Sequence, residues 1–168
     1  SILLDTKGPE LRTGKLANDV SGHDTVDLIA GNTVTLHSNA STLPDPAGST
    51  ATDLLIDFPV LTTVLEPGRL VKLDDGAVVL TVETIDASNG TVKTAVKNPG
   101  SLRSRAGVNL PLADTAAHLP ALSEKDKADI ELGMKYDIDF VAASFIQTAE
   151  HVNDIRKHCE AVAKSMPE

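Results

Sequence analysis

The chain has 168 residues, enough for one domain or one and a half, and 41% of them are apolar, which excludes a disordered tail. Aromatic residues make up 2% with no Trp, and the formal charge is -9 with a pI near 4.9. These values exclude a base-stacking surface and a phosphate-backbone binder for nucleic acid, and they leave Val, Leu, Ile and Ala to build the core.

In chain order, the first element is the unbroken apolar run Ile2-Leu3-Leu4. A run without alternation predicts a strand covered on both faces, as in a parallel sheet. It ends in the charged stretch from Asp5 to Arg12, where Gly8-Pro9 breaks the ladder.

Residues 15–108 read differently. Short β-branched segments at 26–30, 33–37, 60–65, 69–73, 77–85 and 91–97 alternate with turn signals such as Pro67-Gly68, Asp74-Asp75-Gly76 and Ser88-Asn89-Gly90. This spacing predicts a small all-β barrel or sandwich.

From residue 109 the pattern predicts helix, strand, helix. Ser123 caps a helix over 124–136, with Glu124 and Asp126 at its N-terminal end. A buried strand follows over 138–143, ending at Ser144-Phe145. Thr148 then opens an amphipathic helix to about residue 164, with Val152, Ile155, Cys159 and Val162 on one face. His151 and His158 are read onto its wet side. With the opening strand, this gives a β(insert)αβα order, the mark of a parallel α/β sheet carrying an inserted β domain.

In such folds ligands bind beyond the carboxyl ends of the strands. The charges from Asp5 to Arg12 and the segment from Ser144 to Gln147 stand at those ends. A charged loop that merely solubilises a strand end fits the pattern equally well.

Several chemistries drop out. Gly8 to Lys15 has one residue too many for a phosphate loop, and Leu16 stands where the magnesium-binding hydroxyl belongs. Asp86 to Thr91 has its glycine one place early for a calcium loop. The five histidines show no metal-ligand spacing. The single Cys159 excludes an internal disulfide framework and reads as a buried, inert thiol, so a reducing, cytoplasmic location is expected. No segment approaches the ~18 apolar residues of a membrane span, and no basic-then-apolar signal opens the chain.

Five motifs carry a resemblance. They are "LLDTKGPELRTG", "DDG" at Asp74 to Gly76, "GVNLP" at Gly107 to Pro111, "LPALSEKDKADI" at Leu119 to Ile130, and "ASFI" at Ala143 to Ile146. In order and spacing the chain resembles the pyruvate kinase family over essentially its whole length. The resemblance implies an α/β fold, a partial (β/α)8 TIM barrel with an inserted all-β lid domain. It divides the chain into barrel residues 1–14, lid residues 15–108 and barrel residues 109–168. It implies glycolytic phosphoryl transfer from phosphoenolpyruvate to ADP, giving pyruvate and ATP, with magnesium or manganese and potassium as cofactors.

By motif position, Asp5 and Thr6 resemble potassium ligands, and Glu10 stands where potassium-dependent members carry Glu. Arg12 resembles the arginine that neutralises the transferring phosphoryl group. Ser144 and Phe145 resemble the floor of the phosphoenolpyruvate pocket. Asp75 resembles a residue on the lid face that meets the nucleotide. Departures occur at Ala106, where many members have a nucleotide-binding Lys, and at Leu112 and Gln147, where the family pattern has Gly and Arg. Either Arg105 substitutes for that Lys or the lid binds nucleotide more weakly.

The family's upstream phosphate-binding segment, its catalytic Lys and its divalent-metal carboxylates have no counterpart in these residues. The chain therefore reads as an excised piece, inactive alone and prone to self-association, of a parent expected to be a homotetramer. The alternative is an autonomous β-barrel module with weak nucleotide binding and no catalysis. Neither nucleic acid nor a membrane is expected as a partner.

Overall fold

A computed structural model describes residues 1–113, 115 and 118–166. The strands that open it are β1 (Leu3–Asp5), β2 (Leu11–Arg12), β3 (Thr25–Leu28), β4 (Thr33–His37) and β5 (Asp53–Leu55). After a short helix α1 (Leu61–Val64) come β6 (Leu70–Leu73), β7 (Val78–Asp86), β8 (Thr91–Asn98), β9 (Gly100–Arg103) and β10 (Gly107–Asn109). Helix α2 (Glu124–Lys135), strand β11 (Phe140–Ala142) and helix α3 (Ala149–Ser165) complete the chain. The residues form two compact units, 1–10 with 116–168, and 11–115.

The second of these is all-β. Seven strands pair in the order β2-β10-β6-β7-β8-β4-β5, and β3 pairs with β9 separately. The seven-stranded sheet curls until its two ends meet. Thr13 and Ile56 form an antiparallel bridge, the Gly14 N–H donates to the Leu55 carbonyl at 2.8 Å, and the Asp57 N–H donates to the Arg12 carbonyl at 3.0 Å. Joined ends leave no free edge in that part of the sheet. Register shifts between Val79 and Leu80 and between Val82 and Thr84 sit in β7, the longest strand. Such bulges bend and twist a strand, as a curled sheet requires. Alternate residues point inward: Val78, Leu80 and Val82 on β7, and Val92, Thr94 and Val96 on β8, are all buried.

The β-branched segment at 60–65, expected as a strand, is instead the short helix α1. Pro59 precedes it, and Leu61 and Leu65, four residues apart, are both buried. One turn of helix puts both leucines on one face, which outweighs the β-propensity of Val60, Thr62, Thr63 and Val64.

In the other unit, β1 and β11 pair in parallel, with Leu3 opposite Phe140, Leu4 opposite Val141 and Asp5 opposite Ala142. Leu4 and Val141 pack with Met134, Ala143 and Cys159 against a core of Leu122, just before α2, Ile130 on α2 and Ile155 on α3. The opposite face is open: Leu3 is 58% and Phe140 59% exposed. The expectation of a strand covered on both faces is corrected here, because the two helices of this unit cover one face of a two-stranded sheet.

Both helices start where their caps predict. The Ser123 hydroxyl accepts from the Asp126 N–H in a capping box, and the Thr148 hydroxyl accepts from the His151 N–H. His151 is buried rather than on the wet side of α3. It stands four residues before Ile155 and eleven before Val162, on the same buried stripe. Cys159 is half-buried, and burial pushes its thiol pKa up, away from reactivity. Among the described residues, no helix is long and apolar enough to cross a membrane.

Candidate functional site

The expected site residues fall into two groups, one in each unit. In the α/β unit, Asp5 and Thr6 stand at the carboxyl end of β1, and Ser144 and Phe145 follow the carboxyl end of β11. Parallel pairing puts these ends side by side. The Ser144 hydroxyl donates to Asp5 Oδ1 at 3.1 Å. The Ser144 N–H donates to the Thr6 hydroxyl at 3.2 Å, which itself donates to the Ala142 carbonyl at 3.3 Å. Thr6 is buried, whereas the Asp5 side is open to solvent.

The loop after β1 lies directly against the loop after β11. Gly8 has φ +70, and a β carbon there would stand 2.9 Å from both Phe145 Cδ2 and the Ser144 carbonyl oxygen. Phe145 itself has φ +58. A bulky residue in the left-handed region is strained by about 1–2 kcal/mol, and such strain clusters at ligand sites. Glu10 ends this stretch, half-buried, with its N–H donating to the Gly8 carbonyl at 2.9 Å.

Asp5 and Thr6 offer oxygen atoms of the kind a hard cation takes. The Thr6 hydroxyl accepts the Ser144 N–H and donates to the Ala142 carbonyl, which leaves it one lone pair, so a cation would draw on the Asp5 carboxylate and on an oxygen of Thr6. Among the described residues, no three His, Cys, Asp or Glu side chains converge on one point.

One residue absent from the expected set belongs to this group. Asp126 at the start of α2 is fully buried, and its Oδ1 accepts the Gly8 N–H at 3.1 Å. Burial alone would raise its pKa. Hydrogen bonds from Ser123, Gly8 and Lys7 outweigh that effect and hold the carboxyl below its ordinary value. The Ser123-x-x-Asp126 spacing marks a cap in the sequence, but nothing in the sequence marks the reach to Gly8.

In the all-β unit, Arg12, Arg105 and Asp75 gather around the N-terminal end of β10. Arg12 pairs with Gly107 across β2 and β10, and Leu73, two residues before Asp75, pairs with Val108. Arg12 Nη1 donates to the Arg105 carbonyl at 2.6 Å. The Arg105 N–H donates to the Gly14 carbonyl at 3.1 Å. Arg105 adopts φ +57, and its side chain is exposed. Asp74 and Asp75 both have left-handed backbones, at φ +49 and +54. The Arg103 guanidinium stands 4.0 Å from Asp74. Ala106, where the family pattern has Lys, is buried, with its N–H on the Thr13 hydroxyl at 2.9 Å. Leu112 adopts φ +64, a conformation that suits the glycine of the family pattern.

Comparison with known proteins gives a consistent answer. The family model described as "Pyruvate kinase, barrel domain" matches residues 1–167. A pyruvate kinase of Hypocrea jecorina is 43% identical over 159 residues, which is 93% of this chain and 27% of that protein. One from Schizosaccharomyces pombe is 42% identical over 160 residues, 94% of this chain and 29% of its own length. One from Geobacillus stearothermophilus is 37% identical over 161 residues, 96% of this chain and 25% of its own length. The chain thus spans between a quarter and three tenths of these relatives.

Proposed function

The chain belongs to the pyruvate kinase family, and we propose that its residues serve phosphoryl transfer from phosphoenolpyruvate to ADP, yielding pyruvate and ATP. β1, α2, β11 and α3 are then consecutive strand–helix units of a (β/α)8 barrel, and the all-β unit is a domain inserted between the first strand and its helix. The observation that carries the reading is the Ser144–Asp5 hydrogen bond, which ties together the carboxyl ends of two parallel strands, where barrel enzymes keep their chemistry.

Each group has a physical task. Phosphoryl transfer is mostly positioning and charge neutralisation. The Arg12 guanidinium, tethered to the Arg105 carbonyl, is a preset cation for the transferring group. Ser144 and Phe145, tightly packed on Gly8, form the floor under phosphoenolpyruvate. Asp5 and Thr6 hold potassium, which when bound adds fixed positive charge near the phosphates. Glu10 marks dependence on that ion. Asp75 and Arg105 serve the nucleotide, with Arg105 in place of the Lys missing at Ala106. Magnesium or manganese has no assigned ligands in this chain.

Phosphoenolpyruvate-dependent ATP formation in the complete enzyme tests the reading. The complete enzyme is expected to turn over, and the 168 residues expressed alone are expected not to. A complete enzyme that makes no ATP from phosphoenolpyruvate and ADP overturns the assignment.

A further inference from the structure

Asp126 stands outside every role assigned above, yet its carboxylate is withdrawn from water. An ion so placed is destabilising unless hydrogen bonds replace its hydration. Here Oδ2 accepts the Ser123 N–H at 2.9 Å and the Ser123 hydroxyl at 2.6 Å. The N-terminal end of α2 adds its favourable dipole. That half of the arrangement is an ordinary helix cap.

The other half is different. A cap needs only one carboxylate oxygen, but Oδ1 reaches 118 positions back along the chain to the Gly8 N–H. Gly8 is thereby held on one side by a buried charge. On its other side it has no room for a β carbon against Phe145 and Ser144.

We propose that Asp126 is a positioning residue: its Oδ1 fixes the Lys7–Gly8 backbone, and through it the Asp5 and Thr6 oxygens and the Ser144–Phe145 loop. This rests on the reading that these two loops bind potassium and substrate. The helix cap and the loop clamp are separable by substitution. Asp126→Glu keeps a carboxylate at the position where capping boxes favour Glu, but an extra methylene displaces the oxygen from Gly8. Asp126→Asn can offer its one carbonyl oxygen to Ser123, and it then turns an N–H toward the Gly8 N–H. Ser123→Ala removes the cap and leaves the Gly8 bond.

Amide hydrogen exchange in the complete enzyme, followed by mass spectrometry on peptides covering Gly8 and Ser144, reads the clamp without reference to catalysis. Asp126→Glu is expected to speed exchange at Gly8 and Ser144 about ten-fold or more, the range for losing a bond to a charged acceptor. Ser123→Ala should leave Gly8 and Ser144 within about two-fold of wild type while the first turn of α2 exchanges faster. Should Asp126→Asn not fold, the Asp126→Glu and Ser123→Ala pair still decides the matter. Unchanged Gly8 and Ser144 exchange in Asp126→Glu overturns the proposal.

In the complete enzyme, Asp126→Glu should raise the half-activating potassium concentration with unchanged circular dichroism. No change there also overturns the positioning role. A wild-type enzyme inactive toward phosphoenolpyruvate would sink the functional reading alone, since the exchange result would stand.

Discussion

Arg12→Met in the complete enzyme is expected to lower kcat for ATP formation from phosphoenolpyruvate and ADP by about 100- to 1,000-fold, the usual loss of one preset electrostatic donor. The geometry explains why the loss should fall on kcat. The Arg12 backbone is fixed on both sides, through Gly107 on β10 and through the Asp57 N–H. Its Nη1 is anchored on the Arg105 carbonyl. Little of the side chain's freedom is left to freeze when charge develops on the phosphoryl group. Met keeps the stem and loses the charge. Arg12→Lys restores charge without the planar fork, so it should recover only part of the rate. Arg12→Met also removes a charge-assisted hydrogen bond worth about 1.5–3 kcal/mol, so thermal denaturation must be measured alongside kinetics. A rate within a few-fold of wild type would leave Arg12 as a structural tie for the Arg105 turn.

The largest expected stability effect is Leu80→Ala. Leu80 has no exposed surface and sits mid-sheet on β7, opposite Val71 on β6 and Val96 on β8. Truncating a fully buried leucine costs about 2–5 kcal/mol, because the transfer energy is lost and the ring of strands cannot collapse freely into the void. The unit contains no Trp or Tyr, so urea unfolding is best followed through the amides of Val71 and Val96. A loss below about 1 kcal/mol would mean the interior of the curled sheet is not packed at native density.

Much of the architecture was legible because it is written locally. Ser123 and Thr148 announced both long helices, and the β-branched segments at 77–85 and 91–97 announced β7 and β8. The strands β5, β9 and β10 were not legible, since their residues Asp53–Leu55, Gly100–Arg103 and Gly107–Asn109 include a single β-branched residue, Val108. The helix at 61–64 was hidden by β-branched residues whose tertiary packing overruled their propensity. His151 was placed wrongly because only apolar residues were counted toward the stripe it shares with Ile155 and Val162.

The site divides in the same way. Motif resemblance named Asp5, Arg12 and Ser144 as candidates. The hydrogen bond between Asp5 and Ser144 depends on the parallel register of β1 and β11, which no periodicity encodes. Asp126 escaped notice because its cap is local and its clamp on Gly8 is not.

Potassium dependence of the complete enzyme tests most directly whether the loops after β1 and β11 form one cation and phosphate site. Phosphoenolpyruvate-dependent ATP formation should be low in sodium buffer and should rise saturably with added potassium. Asp5→Asn should shift that curve to about ten-fold higher potassium or beyond, since it exchanges a charged oxygen ligand for a neutral one. Full turnover without potassium, with Asp5→Asn indistinguishable from wild type, would contradict the account.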